Sequence, residues 1–134
     1  MFVDASALTA ILTDEEDARV LAGRLKRAER RITSPLAVWE STVAVARRLD
    51  LSLRDAREAV ADYLALAGIV VMAVPPEVGD GALDAFERYG KGRHPASLNF
   101  GDCFAYACAR HFRASLLFKG DDFPRTDIEA VPAR

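Results

Sequence analysis

MFVDASALTAIL, residues 1–12, reads as a strand, a turn and a helix in that order. Met1 to Val3 is a short apolar run that stops at Asp4, and Ser6 then offers a side chain to cap a helix reaching about Leu12. The same alternation continues down the chain. Arg31-Ile32-Thr33 is a short strand, and Ser34-Pro35 starts a helix to about Leu49, with Ser as cap and Pro at the first helical position. Leu36, Trp39, Val43 and Ala46 form its predicted apolar stripe. Between these units, Thr13 to Asp17 crowds acids at the start of a further helix.

Ser52 with Asp55 three residues on opens a helix that ends at Gly68. IVVMAV (69–74) is continuous and β-branched, the pattern of a strand covered on both faces, and Pro75-Pro76 closes it. A helix to about Tyr89, weakened by Gly79 and Gly81, leads into the loop GKGRHPAS (90–97). LNFGDCFAYACAR (98–110) is the next helix, capped by Asn99, slim at Gly101, and entered by Asp102 where the helix dipole favours an ionised acid. SLLF (115–118) is a buried strand, residues 119–124 turn at its carboxyl end, and Ile128 to Val131 is a last short strand. Short apolar strands alternating with helices predict a single α/β domain over 1–134. Its architecture is a three-layer α/β/α sandwich around a mostly parallel, roughly five-stranded sheet.

The 134 residues carry a formal net charge of −2, which argues against holding nucleic acid by bulk charge and leaves room for a local basic groove. Asp4 interrupts the opening apolar run and no basic leader precedes it, so a cytoplasmic protein without a membrane span is expected. Cys103 and Cys108 lie five apart in one helix, on different faces, and read as small core hydrophobes. With only His94 and His111 besides, they do not make a zinc site.

Most acids sit in mixed-charge company. Asp4 after a strand, Glu40 beside Trp39, Asp102 in an apolar helix, and Asp121 or Asp122 before Phe123 do not. Each has a structural alternative: Asp4 caps a turn, Glu40 pairs with an Arg, Asp102 complements a dipole, the Asp pair forms an Asx turn. In a parallel sheet, however, the ligand crevice lies at the carboxyl ends of the strands, where strand order reverses, and Asp4 and Asp121-Asp122 belong at that edge. Carboxylates gathered there repel one another and raise each other's pKa until a cation neutralises them. Oxygen-only donors suit Mg²⁺ or Mn²⁺, and such a site suits phosphodiester hydrolysis.

MFVDASAL, SPLAVWESTVAVARRL, LNFGDCFAYACAR and LLFKGDDFPRTDI, in this order and spacing, resemble the PIN domain, and more narrowly the VapC-type ribonuclease toxin of type II toxin-antitoxin pairs. The resemblance spans nearly the whole chain and implies that Asp4, Glu40 and Asp102 are metal-binding or catalytic acids, with Asp122 the favoured fourth and Asp121 the near alternative. Ser6 resembles the family's small hydroxyl residue beside the first Asp. Where the family often has VDTSA, this chain has Val3-Asp4-Ala5-Ser6-Ala7, one hydroxyl fewer. The implied activity is cleavage of single-stranded RNA with Mg²⁺ or Mn²⁺. The implied partners are a cognate antitoxin and a second copy in a homodimer, for which Trp39, Val43, Val45, Leu64 and Phe86 are apolar stock. Lys91, Arg93 and His94 either steer RNA phosphate or belong to a solvated loop. Two rival readings are a receiver-like phosphoacceptor module, in which Lys119 would contact a phosphorylated Asp, and a non-catalytic binding module of the same fold.

Overall fold

Two residues per strand suffice to build this sheet because each strand turns one side chain to either face. The computed structural model describes residues 1–131. Strand β1 (Phe2–Val3) is followed by α1 (Ala5–Leu12) and α2 (Ala18–Arg27), β2 (Ile32–Thr33) by α3 (Pro35–Arg48) and α4 (Leu53–Ala67), and β3 (Val70–Val71) by α5 (Pro76–Tyr89) and α6 (Phe100–His111). Then come β4 (Leu116–Leu117), a 3₁₀ turn (Phe123–Arg125) and β5 (Ala130–Val131). The sheet runs β3-β2-β1-β4-β5 with every pairing parallel, as the strand–helix alternation predicts.

Phe2, Ile32 and Leu116 point to the layer of α5 and α6, where they pack with Val78, Tyr106 and Phe118. Val3 and Leu117 point the other way, into a core with Leu8, Leu21, Val45 and Val60 from α1 to α4. One sheet thus separates two apolar cores, and the three layers follow. Cys103 and Cys108 are buried and unpaired, as their spacing predicts. Gly79 and Gly81 do not break α5: a Cβ on Gly81 would come within 3.3 Å of Ala107 Cβ, so the small residue serves the close approach of α5 to α6.

Four local expectations are corrected. IVVMAV yields only a two-residue strand, and Val70 is 58% exposed because β3 is the sheet's edge rather than a covered inner strand. The cap of α1 is Asp4, not Ser6, since the chain already turns helical at Ala5. The stripe predicted for α3 is rotated: Ala37, Ser41, Thr42 and Val45 are buried while Trp39 is 67% exposed. Small residues face inward there because α3 touches α1, α4 and α6 at once, and the Ser41 and Thr42 hydroxyls donate to the Val38 carbonyl at 3.1 and 2.6 Å. Finally, Thr13 to Asp17 lie just ahead of α2 rather than inside it, with Asp17 at its cap position, and Glu15 pairs with Arg48 at 2.7 Å.

The chain reverses direction across the sheet between β1 and β4, having grown first to β3 on one side and then to β5 on the other. The carboxyl ends of β1 and β4 therefore flank the switch point, where such sheets bind ligands. The segment leaving β4 is tied down by Asp127, which accepts a hydrogen bond from the Tyr106 hydroxyl at 2.5 Å and pairs with Arg88 at 3.2 Å.

Candidate active site

Four elements deliver acids to that edge. Asp4 ends β1 with its amide donating to the Leu117 carbonyl at 2.9 Å, which fixes it beside β4. Its side chain is only 5% exposed. As the cap of α1, Asp4 Oδ2 accepts from the Ser6 amide at 3.0 Å and from Ser6 Oγ at 2.5 Å, while Ser6 Oγ accepts from the Lys119 amide at 3.0 Å. Ser6 thus joins the ends of β1 and β4 and orients the buried carboxylate. Ser6→Ala is expected to strip one donor from Asp4 and orphan the Lys119 amide, a loss of about 1–3 kcal/mol that a urea titration would read as an earlier midpoint.

Asp102 and Asn99 form a reciprocal capping box at the start of α6. The Asp102 amide donates to Asn99 Oδ1 at 2.9 Å, and the Asn99 amide donates to Asp102 Oδ2 at 3.1 Å. The spacing Asn99-x-x-Asp102 is the signal that announces the second bond. Glu40, on the second turn of α3, is half-buried; its neighbour Trp39 faces outward, so the two do not share a core stripe. The Glu40 carboxylate lies against Gly101, where a Cβ would overlap it.

The electrostatics of these three acids are one system. Burial raises the Asp4 carboxyl above its ordinary value, against the lowering effect of its bonds to Ser6. Burial, then the charges of Asp4 and Asp102, push Glu40 up to about 7. Burial also pushes Asp102 up to about 6; the Asn99 amide opposes this, and the charges of Asp4 and Asp122 add to it. Desolvation and like charge thus raise Asp102 against the bond from the Asn99 amide, yet at about 6 the carboxyl is still ionised at neutral pH. The charge of Asp122 adds to the raising of Asp102; Asp121 and Asp122 are both exposed, ahead of the buried Phe123.

Among the described residues, no three His, Cys, Asp or Glu side chains converge as a ready metal ligand shell. In kind and charge the donors nevertheless fit a hard dication: they are all carboxylates, mutually repelling, and the Glu40 carboxylate reaches them over a glycine that leaves room for it. Lys119 forms ion pairs with Glu15 at 3.2 Å and Asp17 at 3.3 Å, so the lysine that a phosphoacceptor module would need is already engaged. His94 accepts from the Ala96 amide at 3.0 Å and packs edge-on against Tyr89, two contacts that hold its loop. Lys91 and Arg93 are exposed, with the Arg93 guanidinium 5.5 Å above the Phe86 ring.

A parallel sheet carrying three coupled acids at its switch point is the arrangement of a PIN domain, and residues 1–129 match the PIN-domain family model, so the chain belongs to that family. Within it the chain is of the VapC ribonuclease toxin type. It is 40% identical to ribonuclease VapC of Mycolicibacterium smegmatis, over 98% of this chain and 99% of that one. A VapC ribonuclease of Rhizobium meliloti is 39% identical over 95% of this chain and 98% of its own. In fold it resembles the crystal structure of Mycobacterium tuberculosis VapC20, a sarcin-ricin loop cleaving toxin, with a TM-score of 0.75, 22% identity and 97% of each chain covered. Among the described residues no helix is long and apolar enough to cross a membrane.

Proposed function

We propose that this chain is a Mg²⁺- or Mn²⁺-dependent endoribonuclease, the toxin of a toxin-antitoxin pair, cutting single-stranded regions of RNA in the cytoplasm. The observation that carries the reading is the burial of Asp4 at the end of β1, beside β4, with Glu40 and Asp102 near enough that its charge raises both: a cluster of carboxylates suited to a cation. Asp4 and Asp102 would hold the ion, with Glu40 and Asp122 completing its surroundings directly or through water. Bound there, the ion supplies polarisation of the phosphate, a more acidic water and stabilisation of the leaving oxygen. Ser6 orients Asp4 and Asn99 orients Asp102, so the acids are held rather than searching. Exposed Lys91 and Arg93 steer the RNA backbone toward the crevice.

A cognate antitoxin would cover the crevice, pairing an arginine with the acids. A second copy of the chain completes a homodimer. Of the apolar stock predicted for these contacts, Val45 and Leu64 are spent in the core, while Trp39 and Phe86 remain exposed. Trp39 borders a groove of about 540 Å³ with Val38, Val43, Leu53 and Leu64, and Phe86 borders another of about 560 Å³ with Leu83, Phe100 and Phe104.

The test is cleavage of an RNA panel by purified protein with Mg²⁺, with Mn²⁺, and with chelator. Cleavage that needs the ion and stops with chelator supports the reading. Cleavage indifferent to chelator, or none with either ion, refutes it.

A further inference from the structure

We infer that Gly101 is a positioning residue for Glu40: its missing Cβ leaves the space that seats the Glu40 carboxylate beside Asp102. The inference rests on the ribonuclease reading above. A Cβ built on Gly101 has as its three nearest atoms the carboxylate carbon and both oxygens of Glu40, all at overlapping distance. The clash is with the far end of a side chain, 61 positions away in sequence, on a different helix.

Backbone conformation does not explain this glycine. Gly68, Gly92 and Gly120 have positive φ, as a glycine readily does; Gly101 does not, and it occupies the first turn of α6, where alanine would be the better helix former. Nor does core packing explain it, since no apolar side chain is among the atoms its Cβ would meet first, unlike Gly81 against Ala107 or Gly90 against Phe86. What the absent methyl admits is a carboxylate. Glu40 and Asp102 repel each other, yet α3 packs on α6 so that the first approaches within one residue of the second. The positive end of α6 offsets part of that repulsion, but only while the carboxylate can reach it.

Because the obstructed group is mobile, Gly101→Ala should be accommodated by Glu40 swinging aside, with the fold intact. Its melting temperature is expected to match or exceed that of the parent protein. Its RNA cleavage should fall about 10²-fold, the scale of a misplaced reacting group, and calorimetric titration with Mn²⁺ alone should show weaker binding. The decisive comparison adds Glu40→Asp, whose shorter side chain withdraws from position 101. In that background Gly101→Ala should cost no more than about threefold.

Equal losses in both backgrounds would overturn the inference, since the glycine would then serve something other than Glu40. So would unaltered cleavage and Mn²⁺ binding in Gly101→Ala. If that variant melts early, adding Glu40→Ala must restore its melting temperature; failure to do so would mean that the fold itself needs the glycine, and would also overturn the inference. Should the parent protein cut no RNA with either ion, the ribonuclease reading is what fails, and the Mn²⁺ titrations still decide whether Gly101 seats Glu40.

Discussion

Asp102→Asn is expected to lower metal-dependent RNA cleavage by at least about 10³-fold while making the metal-free protein more stable at pH 8. The two halves come from one cause. Asparagine keeps the size of the side chain and an oxygen that accepts from the Asn99 amide, so the capping box survives. It removes a charge that burial and the neighbouring Asp4 and Asp122 make costly. A carboxyl displaced from 3.8 to about 6 carries a penalty of at most about 3 kcal/mol when ionised.

The stabilisation should therefore depend on pH in a stated way. Asp102 has a raised pKa, so its contribution to stability is fully present below 3.8 and is lost as pH rises through about 6. The gain from Asp102→Asn is then absent at pH 3.5, grows to pH 6 and stays level above it. Thermal melts of both proteins in chelator would show this directly. A variant that is inactive and also less stable at pH 8 would mean that the asparagine had broken the box, and the loss of cleavage would say nothing about metal. A variant that still cleaves would remove Asp102 from the site.

What the sequence discloses of this site is its candidate acids, and what it conceals is their contacts. The strand–Asp–helix reading of residues 1–12 is legible because two apolar residues before an acid and a helical run leave few other solutions. Whether Asp4 or Ser6 caps the helix is not, since both are good caps and only the backbone at Ala5 decides. For α3 the period is legible but the phase is not. Three helices press on it, so small polar residues are buried and the tryptophan is turned out, the reverse of a hydrophobicity ranking. IVVMAV misleads similarly, because composition does not say which strand ends the sheet.

The relation between Gly101 and Glu40 lies beyond any local pattern, because it exists only once α3 and α6 are packed. Asp121 and Asp122 are indistinguishable as neighbours in a turn. Only the folded chain brings the charge of Asp122 to bear on Asp102. Thus the four lone acids can be picked out by the company they keep, whereas the order in which they act on each other requires the fold.

That coupling gives the second large effect: the metal-free protein should lose melting temperature as pH rises from 4 to 7.5, and saturating Mn²⁺ should restore most of the loss. Asp102 and Glu40 are displaced upward from 3.8 and 4.5 to about 6 and about 7, and Asp4 is displaced in the same direction. Above pH 4 the unfolded chain ionises these groups freely while the folded chain resists, so protons favour the folded state and stability falls until the highest of the three has titrated. The individual penalties do not add, because Glu40 is raised partly by the charges of Asp4 and Asp102, and Asp102 partly by that of Asp4. Glu40, half in solvent, contributes less than its displacement suggests. The dication reverses the sign. It binds carboxylates and not carboxylic acids, so its affinity climbs over the same window in which the apo protein weakens, and at a hundredfold excess over its dissociation constant it stabilises by about 2.7 kcal/mol. Acid-labile proteins in general grow more stable from pH 4 to 7; here the chelated protein should do the opposite, and Asp102→Asn should flatten both the decline and the Mn²⁺ response. A chelated melting curve that is level over this range, or an Mn²⁺ shift as large in Asp102→Asn as in the parent protein, would show that the acids do not form a single ion-binding pocket.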